Sequence, residues 1–475
     1  MSILVRARRR TLFSALRVAF RFALLPALFA CVAGTACAAP KNVIIMFADG
    51  AAPTQWELGR YSSHLLRQRP FVVTDTVFRE GTLGLLAVHA ANAFVTDSAA
   101  GATALGTGFK SNNGAVSILP DGSRPRTVME AAKQNGKRIG LVTTAEVYDA
   151  SPAAFSVHAN SRREHQGIVD QYLALAPDVL LGGGRDAFLP QGAGGKRNDG
   201  RDMLAAFAAG GYAIVRDPQG LQGAQARKIL GLFADRSLAL ELDRDPAREP
   251  TLAGMTGAAL LALSPERAAA DDRGFVLFVE SQDPDHAGHA NDVASLIRAL
   301  WAFDDAVAVA LEFQRTHPDT LLLVTADHET GGFSATYARR EIAAGRADLI
   351  VGPAEFEKVM RIDASLDAIA AKLGPKPNAE ALDALVAKHL PGFALDADLR
   401  EAILQRRALE RNFSTGPHAV LGRMIARQTG FYWGSSGHTT EPVAVGAIGP
   451  GAERFRGYRD NTDFGRTLLQ LIDGH

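Results

Sequence analysis

The chain has 475 residues, with 51 basic and 51 acidic side chains and 47% hydrophobic content, enough to bury a large core. A charged fraction of 21%, with apolar residues spread evenly, excludes a mostly disordered chain. The charge balance hides an asymmetry. The first 38 residues hold six arginines and no acid, so the remainder carries 45 bases against 51 acids, a net of −6. A mildly acidic body argues against general affinity for nucleic acid or anionic membranes.

Arg6, Arg8, Arg9, Arg10, Arg17 and Arg21 precede a largely apolar, uncharged run over residues 22–39, broken at Pro26. The run closes on Ala36-Cys37-Ala38, a small-residue cleavage pattern, so residues 1–38 read as a signal peptide and the protein as exported, periplasmic or secreted. A retained anchor is the alternative, since the run just reaches spanning length; Pro26 and the small residues favour cleavage, after which no membrane association is expected. Cys31 and Cys37 are the only cysteines, and both fall in this segment. The mature chain would hold no thiol and rely on its core and any bound metals.

Beyond the signal, apolar β-rich runs fall at 42–47, 138–143, 178–181, 212–215, 228–233, 275–279, 320–325 and 443–448. Helical stretches lie between many of them, at 126–135, 252–263 and 293–313. This alternation predicts an α/β fold with a mainly parallel central sheet and helices on both faces. Residues 182–211 read as loop around a short helix. Residues 335–430, rich in alanine and charge, read as a helical insertion or lid within a single domain spanning 39–475. In parallel sheets ligands bind beyond the carboxyl ends of strands, so polar residues just after the strands matter most.

Six clusters meet that criterion. Asp49 follows the first strand, although an Asp-Gly pair there also suits a plain turn. Thr96-Asp97-Ser98 precedes a small-residue helical run, placing a serine at a helix N-terminus where free N–H groups favour an anion. Asp149-Ala150-Ser151-Pro152 reads as a helix start, with Arg162 eleven residues after Ser151. The segment after the strand at 275–279 offers Glu280, Asp283, Asp285, His286 and His289 within ten residues, a density that points to metal ligation. Asp327-His328 follows the strand at 320–325, and His438 precedes the strand at 443–448. Oxygen and imidazole donors without thiolate suit zinc, with magnesium or manganese at an all-oxygen position.

Taken in order, the six clusters resemble the motifs of the alkaline phosphatases, over residues 41–335 and again 430–466. The resemblance implies two zinc ions and one magnesium ion. Asp285, His289 and His438 match the ligands of one zinc, and Asp49, Asp327 and His328 those of the second, which also touches Ser98. Asp49, Ser151 and Glu280 match the magnesium site. Ser98 matches the nucleophile that becomes phosphorylated, Arg162 the arginine that grips the phosphoryl oxygens, and Asp97 the residue that orients it. Asp149 and His286 occupy positions that vary within the family and form a secondary site. Ser151 stands where many relatives carry threonine, which keeps the hydroxyl. The implied partners are small phosphate monoesters, and a homodimer is compatible with the family.

Three other functions compete. A sulfatase needs an arginine shortly after its modified residue, but Ser98 is followed by Ala99-Ala100-Gly101-Ala102. A phosphodiesterase would more often use threonine as nucleophile and lack the arginine. A noncatalytic phosphate or metal binder would have no need of a complete set of ligands and nucleophile.

Overall fold

The protein is described by a computed structural model over residues 39–264, 272–342 and 345–475, so the expected signal peptide lies outside the described residues. The strands in chain order are β1 (Asn42–Ala48), β2 (Thr82–Ala87), β3 (Arg138–Glu146), β4 (Val179–Gly183), β5 (Ala213–Val215), β6 (Ile229–Leu232), β7 (Phe275–Ser281), β8 (Thr320–Thr325), β9 (Phe333–Ala335), β10 (Tyr337–Ile342), β11 (Gly345–Ile350), β12 (Phe431–Trp433), β13 (Val443–Ile448) and β14 (Gly457–Asp460). Ten form one sheet in the order β14-β2-β13-β8-β1-β7-β3-β4-β6-β5. The mainly parallel α/β sheet expected from the sequence is therefore present.

β1, β7 and β8 are apolar along almost their whole length because they lie at the sheet centre, covered on both sides. In β1, Ile44 and Met46 join one hydrophobic cluster while Val43, Ile45 and Phe47 join the other, as strand periodicity requires. The first cluster takes in the helices Leu252–Leu263 and Val293–Thr316. The second takes in Ser98–Thr107, Val128–Gln134 and Asn461–Asp473. Among these described helices none is long and apolar enough to cross a membrane.

The direction of one strand decides where the site forms. β13 is antiparallel to both its neighbours, β8 and β2, whereas the other pairs of the sheet are parallel. The amino end of β13 therefore lies on the same edge as the carboxyl ends of the rest. His438, five residues before β13, is brought to the edge reached by Asp49, Glu280 and Asp327 just after β1, at the end of β7 and after β8.

Residues 335–430 depart from a purely helical segment. They open with β10 and β11, paired antiparallel over six residue pairs. Five helices follow, Pro353–Val359, Leu366–Leu373, Ala379–His389, Ala397–Leu404 and Pro417–Thr429. Phe356, Leu366, Leu382, Leu399 and Leu421 from these helices belong to the first hydrophobic cluster. β9 pairs antiparallel with β12, drawing the two ends of the segment together.

Candidate active site

The site is built on tight backbone approaches. Gly50 has φ +78, and a Cβ there would lie 2.7 Å from the Cα of Asp285, so glycine lets the loop after β1 meet the helix Asp283–Ala290 that follows β7. Ser98 opens the helix Ser98–Thr107, every residue of which is buried. A Cβ on Gly101 would lie 3.0 Å from the Cβ of Asp327, so the small-residue run seats the helix start directly against the loop after β8. Asp97 caps the helix, one oxygen accepting from Ala100 N–H at 3.0 Å and the other from Gly114 N–H at 2.9 Å.

Two groups of three metal-type donors stand side by side. Asp49, Asp327 and His328 form one, and Asp285, His289 and His438 the other; within each, the donor atoms lie within 4.8 Å of one another. In the first, His328 Nε2 is 3.2 Å from Asp327 and 3.6 Å from Asp49. In the second, Asp285 lies 3.3 Å from His289 and 3.4 Å from His438, and the two Nε2 atoms are 3.2 Å apart. The rings of His328 and His438 stack at 3.6 Å, joining the groups. Ser98 Oγ is 3.2 Å from His328 Nε2.

The outer nitrogens are already committed. Nδ1 of His438 donates to the Thr96 carbonyl at 2.8 Å, and Nδ1 of His289 to the Ser436 carbonyl at 2.7 Å. These bonds orient both rings and leave Nε2 directed into the cluster, the arrangement typical of ligating histidines. The Thr330 hydroxyl donates to Asp285 and lies 3.3 Å from His328 Nδ1, touching both groups.

A third set of oxygens surrounds Glu280. The Thr143 hydroxyl donates to Glu280, and Ser151 lies beside it without a well-aligned hydrogen bond. The buried oxygens Asp49 Oδ1, Asp327 Oδ2 and Ser151 Oγ make no hydrogen bond. Buried polar atoms are normally satisfied, so these three oxygens are available as ligands for cations.

The electrostatics agree. Burial, then the charge of Asp327, pushes Asp49 well above the usual carboxylate range. Burial also raises Glu280 to about 8, and burial with the charge of Asp285 raises Asp327 to about 7. Burial alone would lower His289, but the Asp285 carboxylate outweighs it and lifts the ring to about 9. Burial and the charge of His438 hold His328 well below its ordinary value. Without cations Asp49, Asp327 and Glu280 resist ionisation; divalent ions beside them would remove that resistance. The donor set fits zinc at the two nitrogen-containing groups and a harder ion at the oxygen set.

Arg162 projects from the loop following the short helix Ala150–Ala154. Its NH2 donates to Asp149 Oδ1 at 2.9 Å, and NH1 is 3.7 Å from Asp97. Asp149 and His286 line a cavity of about 260 Å³ together with Arg162, Arg236 and Gln282. The structure thus places Asp149 and His286 next to the arginine.

Sequence reasoning missed several supporting residues. Thr143, Thr330 and Gln282 have no motif of their own and are recognised only by what they touch. Glu329 is fully buried, accepting from the Gln55 side chain, the amides of Gly332 and Phe333, and the Thr439 hydroxyl. It ties the segments carrying His328 and His438. Its place directly after Asp327-His328 was the one available signal.

The alkaline phosphatase family model matches residues 40–473. Alkaline phosphatase 3 of Bacillus subtilis is 32% identical over 452 residues, covering 91% of this chain and 89% of the relative. The crystal structure of a cold-active alkaline phosphatase from Shewanella sp. is 32% identical with a TM-score of 0.74, covering 91% of this chain and 99% of the other. That of Thermus thermophilus alkaline phosphatase is 29% identical with a TM-score of 0.79, covering 91% of each. The chain belongs to the alkaline phosphatase family and is a phosphoric monoester hydrolase.

Proposed function

We propose that the chain hydrolyses small phosphate monoesters through a phosphoserine on Ser98, with zinc in the two nitrogen-containing donor groups and magnesium at Asp49, Ser151 and Glu280. The observation that carries this reading is the pair of donor groups joined by the stacked rings of His328 and His438, with the Ser98 hydroxyl against one of them. When bound, the metals would act as Lewis acids, easing ionisation of hydroxyls and neutralising charge on the transferring phosphoryl group.

The chain's own groups then do the positioning. Ser98 Oγ attacks phosphorus, the bond to the leaving alcohol breaks, and water later splits the phosphoserine to release inorganic phosphate. The helix N-terminus beneath Ser98 favours the oxyanion that forms when its proton leaves. Arg162 offers a planar fork to two non-bridging oxygens, held by Asp97 and Asp149. A diester has one of those oxygens esterified, so the fork favours monoesters over diesters. Export through a cleaved signal over residues 1–38 completes the proposal and places the chemistry outside the cytoplasm.

The test is acid quenching during turnover of a ³²P-labelled monoester, combined with metal analysis. Label on Ser98, its loss in Ser98→Ala, and about two zinc and one magnesium per chain are expected. Label retained in Ser98→Ala, or full turnover after exhaustive chelation, would overturn the reading.

A further inference from the structure

The two carboxylates that hold Arg162 are themselves held in different ways. Asp97 is locked by backbone, since its two oxygens accept from the amides of Ala100 and Gly114. Arg162 shares that anchor, its own amide donating to the Gly114 carbonyl at 2.8 Å. Asp149 also stands at a helix N-cap position, yet its side chain makes no capping bond. One oxygen goes to Arg162, and the other accepts from Gln282 Nε2 at 2.8 Å. Among the described residues, these are the hydrogen-bond partners of that carboxylate.

Gln282 is well placed to act as a fixed post. It is buried, and its backbone N–H donates to the Thr144 hydroxyl at 3.0 Å. Its Oε1 faces the Ser237 hydroxyl at 3.3 Å, whose single proton goes to Glu146 at 2.6 Å. Glu146 is pinned in turn by Arg236 Nε at 2.8 Å. The amide has one sensible orientation, because reversing it would set Oε1 against the Asp149 carboxylate.

We infer that Gln282 is a positioning residue for phosphate recognition: it fixes Asp149, and through Asp149 the guanidinium of Arg162. The inference rests on the reading of Arg162 as the phosphoryl-gripping group. It explains how a carboxylate that gives up its helix-capping role is kept from turning back to the helix amides.

The test is a double-mutant cycle read by the inhibition constant of inorganic phosphate on the metal-loaded enzyme. Gln282→Leu keeps the bulk and removes the amide; it should weaken phosphate about three- to tenfold, the worth of one such hydrogen bond. In the Arg162→Ala background the same change should shift the constant by less than about twofold, since the positioned group is gone. Equal weakening in both backgrounds would show a general structural role and overturn the inference. No weakening by Gln282→Leu, with Arg162→Ala still weakening phosphate, would sink the role of Gln282 alone. If Arg162→Ala itself leaves the constant unchanged, the reading of Arg162 falls and this inference with it.

Discussion

The two donor groups have similar chemistry and opposite settings. In the group of Asp49, Asp327 and His328, side-chain exposure is 2% or less. In the group of Asp285, His289 and His438, the His289 side chain is 41% exposed and His438 13%. The closed group sits against the start of the helix Ser98–Thr107 and is buried; the open group faces outward. The difference teaches that burial alone can set two neighbouring donor groups of similar chemistry apart. The closed group would hold an ion shielded beside Ser98, whereas an ion held by the open group would be accessible to water.

The largest expected effect tests the closed group's neighbour. Ser98→Ala should lower monoester turnover by at least ~10³-fold while leaving zinc content intact, since the hydroxyl would be a minor ligand beside three stronger donors. Steady-state hydrolysis with metal analysis on the same sample checks both halves. Loss of metal along with activity would mean that the serine holds the closed group together.

The next effect sets one group against the other. His328→Ala should reduce activity by roughly 10³-fold and His289→Ala by roughly 10- to 100-fold, because water can replace a ligand only where solvent enters. Dialysis of the unmutated protein against a chelator should remove one zinc quickly and the second slowly. Equal release rates would erase the distinction between closed and open.

Thr330→Val gives a smaller effect. Its hydroxyl touches Asp285 in one group and approaches His328 in the other. Removing it should weaken metal affinity about 10- to 100-fold, as loss of an outer-shell partner does. Zinc titration should show both sites affected; a change in only one would uncouple the groups.

The smallest effect is on pH-dependent stability of the metal-free protein. Asp327 and Glu280 have folded values raised to about 7 and about 8, above their ordinary carboxylate values. A raised group contributes stability below its unfolded value, and that contribution is lost as pH rises through the folded value. His328, held low, acts in the opposite sense, favouring the fold above its ordinary value. With Asp49 and His289 also raised, three carboxylates and one imidazole stand against the single lowered imidazole of His328, so the metal-free Tm should fall by a few degrees between about pH 5 and pH 9. Calorimetry checks this, and the metal-loaded protein should show no such decline.

Much of this arrangement is legible in the sequence because strand ends carry it. β1, β7 and β8 are long apolar runs, and the acids and histidines that follow them need no structure to be noticed. The missed elements have no such signature. β14, Gly-Tyr-Arg-Asp, is polar and exists through its pairing with β2. β2 itself, with buried and exposed residues alternating, is completed by β13. β10 and β11 are rich in alanine, arginine and glutamate, which favour helix locally, yet cross-strand pairing decides their state. In the site, ligands were legible because metal chemistry restricts residue type. Gln282, Thr330 and Thr143 were not, because a hydrogen-bonding helper can be any of several residues at any sequence distance.

The reversed course of β13 also bears on how the protein comes into being. His438 follows Asp49 by 389 residues and reaches the edge only when β13 has inserted between β8 and β2. A ribosome-bound or truncated chain that stops before this point has an open group with only two of its three donors. The open group is therefore completed by a segment distant in sequence, and only through the pairing of β13 with its two neighbours.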